Sequence, residues 1–152
     1  IKRGKIRLKD AIKIISVGKI KNKHISSLCM DYKDRIKHYA KFEDVVLKSG
    51  TNQTENDKII AHLKNNTGLN YGLSEEGDTF NSKNFARLLS DANNQISFIL
   101  GGPEGIDGRT KKSCDKVIAL SQMTFTHEMA QLFLLEQIYR AFTITLNKKY
   151  HK

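Results

Sequence analysis

The sequence contains no tryptophan, one proline and only two cysteines among its 152 residues. Cys29 and Cys114 lie far apart and belong to no CxxC or Cys/His cluster, so the sequence indicates neither a disulfide framework nor a zinc site. The five histidines form no HExxH arrangement, and we therefore expect no metal site. A reducing compartment is the simplest interpretation: the cytoplasm, with an organelle matrix or stroma as the alternative.

Long apolar segments are also lacking. No run approaches the ~18 residues needed to cross a bilayer, and we expect no membrane partner. The apolar fraction of 39% nevertheless suffices for a folded chain, and 152 residues fit one domain.

Basic residues dominate the charge of the chain. Lysine and arginine number 26 and aspartate and glutamate 16, which gives a net charge of +10. This excess favours a polyanionic partner, because cations on a protein release the counterions condensed on phosphates. A compositional bias toward lysine, with side chains that only solvate the surface, is the alternative explanation.

The first ten residues include Lys2, Arg3, Lys5, Arg7 and Lys9 and lack the apolar region of a secretory signal. We expect residues 1–10 to be a basic leader, disordered or loosely attached. An extension, a trimmed precursor and a remnant of an organelle-targeting peptide are all compatible with it. Residues 11–152 are predicted to form a single domain.

Strand-like and helix-like patterns alternate from residue 11 onward. Apolar and β-branched runs predict five strands, at residues 12–17, 42–47, 69–73, 96–100 and 117–120. Apolar steps of three and four predict helices that contain residues 25–39, 59–63, 85–89 and 126–146, with Ser82 as an N-cap. Residues 49–56 are predicted to be a loop, 74–78 a turn and 147–152 a polar tail. The alternation predicts an α/β fold with a mostly parallel sheet and flanking helices.

The sharpest local feature is a buried strand that runs into the glycine-rich turn GGPEG at residues 101–105. Glycine leaves backbone N–H and C=O groups uncovered, and ligands of open α/β sheets bind beyond the carboxyl ends of strands. The turn is neither a GxGxxG fingerprint nor a P-loop, which disfavours phosphate binding. A tight turn without a ligand is the alternative interpretation.

A second strand end, at residues 118–127, also leads through small polar residues into the last helix. Two strand ends with polar loops make one shared pocket plausible. Ser121, Thr124 and Thr126 are equally typical of simple caps and turns.

Glu136 and Arg140 in the last helix are spaced i, i+4, which by itself predicts a surface ion pair. Both residues flank the apolar stripe of the helix. Tyr139 and the terminal residues 150–152 add stackable and cationic groups suited to an RNA base and its phosphates.

Four motifs together resemble the ribosomal large-subunit methyltransferase H family. They are GGPEG at 101–105, LSQMTFTH at 120–127, EQIYRA at 136–141 and YHK at 150–152. Each motif alone is weak, whereas their order and spacing are highly specific. IISVGK at 14–19 also resembles the opening strand of the family, so the resemblance covers nearly the whole chain from Ala11.

The resemblance implies a SPOUT-type α/β knot, whose C-terminal trefoil knot is a rare exception to the rule that chains do not thread loops. It also implies that S-adenosylmethionine is the cofactor, bound by three segments that follow strands. The matching positions are Leu73, Gly101, Gly102, Pro103, Leu120, Ser121, Gln122, Met123, Thr124 and Phe125.

The family's reaction is methylation of N3 of a pseudouridine in 23S-type large-subunit rRNA of the assembled ribosome. The resemblance also implies a homodimer in which the C-terminal tail completes the partner subunit's site. Because a sulfonium methyl group is already activated, the protein has to align an in-line attack and help the N3 proton leave. His151 or His127 is the candidate general base. The candidate catalytic residues are His127, Glu136, Arg140 and His151, and the candidate RNA contacts are Arg140, Tyr150, His151 and Lys152.

Gln131 is a departure from the family pattern, because many bacterial members carry arginine at this position of the last helix. We therefore expect one RNA contact or cofactor neighbour to be missing. Two alternatives stay open: a SPOUT methyltransferase that acts on another RNA such as tRNA, and a non-catalytic ribosome-binding homologue. Gln131 is the feature that supports the second.

Overall fold

The computed structural model describes residues 11–152, and the leader at residues 1–10 lies outside the described residues. Five strands and five helices follow one another along this part of the chain. The strands are β1 (Ala11–Val17), β2 (Lys41–Leu47), β3 (Leu69–Thr79), β4 (Ile96–Ile99) and β5 (Lys116–Ala119). The helices are α1 (Lys23–Ile36), α2 (Asn52–Leu63), α3 (Ser82–Ala92), α4 (Gly108–Lys112) and α5 (His127–Thr145). The predicted strands are all present.

The strands pair in parallel in a sheet of order β2-β1-β4-β3-β5, so β2 and β5 form its edges. The predicted α/β fold with a parallel sheet and flanking helices is confirmed. The trefoil knot stays a prediction. Within residues 11–152, no helix combines the length and the apolar character that a membrane span requires.

Helices cover both faces of the sheet. Neighbouring residues of a strand point to opposite faces, and the fully buried pair Phe98 and Ile99 of β4 illustrates this. Phe98 belongs to the larger core with Leu135 of α5, and α1, α3 and α5 contribute to that face. Ile99 belongs to the smaller core with Ile59 of α2, and α4 packs beside α2. The sheet is therefore the middle layer of three.

The prediction of a loop at residues 49–56 is wrong, because α2 already begins at Asn52. Thr51 is the N-cap, and its side chain accepts a hydrogen bond from the N–H of Thr54 at 3.1 Å. Glu55 and Asn56 are buried in the first turns of this helix. The hydrophobic pattern did not reveal the start of this helix, because its first turn contains no apolar residue.

The predicted turn at residues 74–78 is also wrong, because β3 continues through it to Thr79. The register against β5 shifts between Leu73 and Asp78, and both of these residues pair with Ile118. Gly77 permits the close approach of the two strands: a Cβ atom there would lie 2.7 Å from the backbone nitrogen of Ile118.

Two helix details differ from the prediction. The N-cap of α3 is Asn81 and not Ser82, since the side chain of Asn81 accepts a hydrogen bond from the N–H of Asn84 at 2.8 Å. The five-residue helix α4 is not predicted at all, because its sequence GRTKK contains no apolar side chain to produce a helical pattern.

Candidate functional site

A cavity lies beyond the carboxyl ends of β3, β4 and β5, where open α/β sheets bind their ligands. Its volume of about 320 Å³ falls in the range of small-molecule sites. Nine of the ten predicted cofactor contacts line it: Leu73, Gly101, Gly102, Pro103, Leu120, Ser121, Met123, Thr124 and Phe125. The tenth, Gln122, lies in the same loop but is not among the lining residues. The structure thus brings the three predicted segments together around one space.

The first residue of the turn after β4 lies so close to the backbone at the end of the same turn that only glycine fits there. A Cβ atom on Gly101 would lie 2.3 Å from the carbonyl carbon of Gly105. Gly105 adopts a left-handed φ of +78°, and its N–H donates a hydrogen bond to the carbonyl oxygen of Gly102 at 2.9 Å. Uncovered backbone of the glycine-rich turn therefore borders the cavity.

Side chains of α2 and α4 hold this turn from outside the cavity. The amide of Asn52 donates a hydrogen bond to the carbonyl oxygen of Gly105 at 3.0 Å. Asn56 Oδ1 accepts hydrogen bonds from the N–H of Asp107 at 2.9 Å and from Thr110 Oγ1 at 2.6 Å. Sequence reasoning missed these residues, since it assigned the first turns of α2 to a loop and overlooked α4.

Two carboxylates of β3 border the cavity although the protein is strongly basic. Glu75 accepts a hydrogen bond from the hydroxyl of Thr124, which joins β3 to the loop after β5. Glu76 pairs with Lys111 of α4, and the hydrogen bond and the charge of Lys111 lower the pKa of Glu76. Sequence analysis did not place these two carboxylates at the site, because it assigned residues 74–78 to a turn.

The loop between β5 and α5 forms the third side of the cavity and carries His127, the first residue of α5. Thr126 is the N-cap of this helix, and the hydroxyl of Ser121 accepts a hydrogen bond from the N–H of Met123 at 3.0 Å. Thr126 therefore acts as a cap and does not line the cavity, whereas Ser121 forms a turn and lines the cavity at the same time. The ring of Phe125 packs edge-to-face on Phe133, with centroids 5.2 Å apart, and fixes the loop to the helix.

A second group of polar residues, here called the tail cluster, consists of Glu136, Arg140, Tyr150 and His151. Arg140 Nη2 donates a hydrogen bond to Glu136 Oε2 at 2.7 Å, so the pairing predicted from the i, i+4 spacing is confirmed, although both side chains are partly buried and not at the surface. The hydroxyl of Tyr150 donates to the same carboxylate oxygen at 2.9 Å, and Arg140 Nη1 contacts the ring of His151. These contacts fasten the C-terminal residues to α5.

Aromatic rings surround the tail cluster. The hydroxyls of Tyr32 and Tyr150 lie 3.2 Å apart, and the guanidinium of Arg140 lies 4.9 Å from the centroid of the Tyr150 ring. Burial, together with hydrogen bonds to Tyr32 and Glu136, raises the pKa of Tyr150. The hydrogen bond to Glu136 is the main cause of a raised pKa for Arg140. Lys152 is exposed at the end of the chain.

The cavity and the tail cluster lie at different parts of α5: the cavity at its first turn and the tail cluster from Glu136 onward. Arg140 follows His127 by 13 residues on this helix, which corresponds to about 20 Å at about 1.5 Å per residue. The predicted catalytic residues therefore occupy two places in a single protomer: His127 lies at the cavity, whereas Glu136, Arg140 and His151 lie away from it.

Gln131 is 6% exposed and lines a different cavity, beside Ser26 and Cys29 of α1. It therefore does not contact the cavity at the carboxyl ends of the strands in this protomer. Among residues 11–152, no group of three or more histidine, cysteine, aspartate or glutamate side chains is arranged to hold a metal ion.

The sequence matches known proteins along almost its whole length. Residues 11–151 match the family described as "Predicted SPOUT methyltransferase". The protein named Ribosomal RNA large subunit methyltransferase H of Christiangramia forsetii is 37% identical, across 92% of this chain and 98% of that protein. The protein of the same name from Coprothermobacter proteolyticus is 38% identical, across 93% of this chain and 99% of its own length.

Solved structures share the fold at low sequence identity. A probable methylase family protein from Haemophilus influenzae has a TM-score of 0.60 at 13% identity, over 96% of this chain and 72% of that chain. The SpoU methyltransferase AviRb from Streptomyces viridochromogenes, solved in complex with AdoMet, has a TM-score of 0.54 at 12% identity. This chain covers 62% of AviRb, and 97% of this chain takes part in the match.

Proposed function

The chain belongs to the SPOUT methyltransferase family, and we propose on this basis that it transfers a methyl group from S-adenosylmethionine to large-subunit rRNA. The observation that carries the proposal is the single cavity formed by three strand ends, which contains nine of the ten expected cofactor contacts. The relatives' names point to ribosomal RNA of the large subunit, and the net charge of +10 suits a polyanionic substrate.

The residues around the cavity fit S-adenosylmethionine. Backbone of Gly101 and Gly102 borders the cavity, and a Cβ atom on either glycine would collide with neighbouring atoms. Glu75 adds negative charge that complements a sulfonium or an ammonium group, whereas the charge of Glu76 is balanced by Lys111, which also lines the cavity. When bound, the cofactor supplies an activated methyl group on positively charged sulfur.

His127 is the proposed general base, because it borders the cavity at the start of α5. It accepts the proton that N3 of the target base loses, while the rigid turn and loop hold the reacting groups in line. Histidine suits this role near neutral pH. No covalent intermediate with the protein is needed, since the methyl group passes directly to nitrogen.

Arg140, Tyr150 and His151 of the tail cluster, together with Lys152, are the proposed contacts to the RNA. Arg140 and Lys152 supply positive charge for phosphates, and the ring of Tyr150 supplies a surface on which a base can stack. Because Arg140 of the tail cluster lies about 20 Å along α5 from His127 at the cavity of its own protomer, we expect a homodimer. In that dimer the tail of one protomer lies beside the cavity of its partner.

The proposed target is N3 of a pseudouridine in 23S-type rRNA, methylated on the assembled ribosome. Ribosomes that lack the modification are incubated with the protein and with S-adenosylmethionine carrying a labelled methyl group, and the label is then mapped. Label on N3 of one large-subunit pseudouridine is the expected result. Isolated subunits and bulk tRNA, tested in parallel, determine which form of RNA is the substrate.

Two other results would select a different function. Label that appears on tRNA and not on ribosomes would select the methyltransferase for another RNA. Ribosome binding without label on any RNA would select the non-catalytic homologue. Gly108→Ala is a suitable control for handling losses, because a Cβ atom at Gly108 has no atom within 4 Å and the residue does not line the cavity.

A further inference from the structure

Asn56 forms a fully paired polar centre directly behind the glycine-rich turn. Its side chain is 0% exposed, and its amide nitrogen donates to the carbonyl oxygens of Asn52 at 2.9 Å and Gly105 at 3.4 Å. Its amide oxygen accepts from the N–H of Asp107 and from the hydroxyl of Thr110, which is also 0% exposed. One side chain thus joins α2, α4 and the exit of the turn.

Glu55, the residue before Asn56, contacts the start of the same turn. One of its carboxylate oxygens accepts a hydrogen bond from the N–H of Gly50 at 3.0 Å. The other oxygen lies only 2.4 Å from the position that a Cβ atom on Gly102 would take. Glu55 therefore packs directly against Gly102, although neither Glu55 nor Asn56 lines the cavity.

The glycine-rich turn needs such support. Its three glycines between residues 101 and 105 lose more conformational entropy on ordering than other residues do, and a flexible turn would offer its backbone in many arrangements. A binding site gains affinity when its groups are already held in the bound geometry. Buried hydrogen-bond networks in which every member is paired provide that rigidity.

We propose that Asn56, Thr110 and Glu55 are positioning residues, which hold the glycine-rich turn in the shape that S-adenosylmethionine requires. The inference rests on the proposed function, since it assumes that the turn binds this cofactor. It adds a site of control outside the cavity: α2, which contributes no residue to the lining of the cavity, determines how tightly the cofactor binds.

The test compares two substitutions at Thr110. Thr110→Val replaces the hydroxyl by a methyl group of similar size and removes the donor to Asn56, whereas Thr110→Ser keeps the hydroxyl. Affinity for S-adenosylmethionine is measured by calorimetric titration, well below the unfolding temperature of each variant. We expect Thr110→Val to weaken binding about fivefold or more and Asn56→Ala about tenfold or more, because buried groups lose their partners. Thr110→Ser should bind nearly as the wild type does.

Asn66→Ala is the matched control for a general loss of stability. The amide of Asn66 donates to Ser97 Oγ at 2.9 Å and to Asn70 Oδ1 at 2.7 Å, near the amino ends of the strands and away from the cavity. This variant should lower the unfolding temperature without changing cofactor affinity. In Thr110→Val, the dissociation constant of the cofactor should rise while KM for ribosomes stays unchanged. A purely structural role of Thr110 would not raise the first value and leave the second unchanged.

The outcomes separate the two proposals. A wild-type protein that does not bind S-adenosylmethionine would overturn the proposed function and the inference with it. A wild-type protein that binds, together with unchanged affinity in folded Thr110→Val and Asn56→Ala, would overturn the inference alone. Equal losses of affinity in Asn66→Ala and Thr110→Val would also overturn it, since the effect would then follow global stability.

Discussion

The guanidinium of Arg140 donates a hydrogen bond to Nδ1 of His151 at 3.1 Å. Because a guanidinium has no acceptor, Nδ1 must be the acceptor and the ring proton of a neutral His151 is on Nε2. In this tautomer the lone pair of Nδ1 is engaged and Nε2 is a donor. His151 is therefore suited to donate to RNA, and His127 is the better placed of the two candidate bases.

The first prediction separates the roles of the two histidines. His127→Ala should lower the single-turnover rate of methyl transfer by about 10²- to 10⁴-fold, the usual contribution of a positioned general base. His151→Ala should instead raise KM for ribosomes with a smaller effect on that rate. Exposed His24, replaced by alanine, serves as the control. Undiminished activity in both variants would remove the assignment of a histidine base.

The second prediction concerns the fork geometry of Arg140. Arg140→Lys keeps the charge, but an ammonium cannot reproduce the planar contacts to Glu136 and His151 together. We expect KM for ribosomes to rise by about tenfold, since hydrogen bonds to charged groups contribute about 1.5–3 kcal/mol. Kinetics on unmodified ribosomes measure the effect, and Arg87→Lys on the exposed side of α3 is the control. An unchanged KM would contradict the role of Arg140 in RNA binding.

The third prediction uses two glycines with opposite surroundings. Gly101→Ala places a Cβ atom against the backbone of Gly105, so the turn must move. We expect cofactor affinity to fall by about 10- to 100-fold, because overpacking typically costs about 1–3 kcal/mol. Gly108→Ala meets open space at the start of α4 and should bind the cofactor normally, with equal or slightly greater stability. Calorimetric titration of both variants tests the pair, and similar affinities would refute the expectation.

The fourth prediction concerns the pH dependence of the two thiols. Burial raises the pKa of Cys29 and of Cys114 from about 9.0 to about 11. Since these pKa values are higher in the folded than in the unfolded protein, the contribution of the two thiols to the free energy of unfolding is fully present below about pH 9. This contribution disappears as the pH rises through about 11.

The ultraviolet absorbance of the thiolate measures this shift without a reagent, which could reach the buried sulfur of Cys29 only after local opening of the fold. The thiolate absorbance of the folded protein should reach half its maximum near pH 11, and that of the urea-unfolded protein near pH 9. Single variants in which Cys29 or Cys114 is replaced by serine assign the two signals. Midpoints that coincide in the folded and unfolded protein would disprove the shift.

The strands and the three cofactor-binding segments could be predicted from the sequence because their signals are local. A buried parallel strand is an apolar run of a few residues, and 96–99 is such a run, followed at once by the glycine-rich turn. The meeting of three strand ends follows from parallel pairing. The order of the strands in the sheet could not be predicted, because it depends on contacts between segments that are distant in sequence.

The support behind the turn could not be predicted for the same reason. Asn52 and Asn56 lie about 50 positions before their partners at Gly105 and Thr110, and no local pattern relates them. Thr51, a good N-cap residue, was the one signal that could have extended the predicted helix backward to include them. Buried asparagine resembles loop asparagine in sequence, since both are polar.

The position of Gln131 shows what a resemblance to a family cannot predict. The resemblance predicted a missing contact to RNA or cofactor, whereas the structure buries this amide between α5 and α1, beside Cys29. A family pattern records which residue type is usual at a position. It does not record toward which neighbour the side chain points in one protomer, and the expected loss of a contact to RNA or cofactor stays a prediction.

The two edges of the sheet also limit how copies of the chain can associate. β2 carries the exposed charged side chains of Lys41, Glu43 and Asp44, and β5 is only four residues long. Charge and shortness both discourage an unpaired strand from adding a strand of another molecule. Fibril-like growth by strand addition is thereby disfavoured, and association of two protomers away from the sheet edges is favoured.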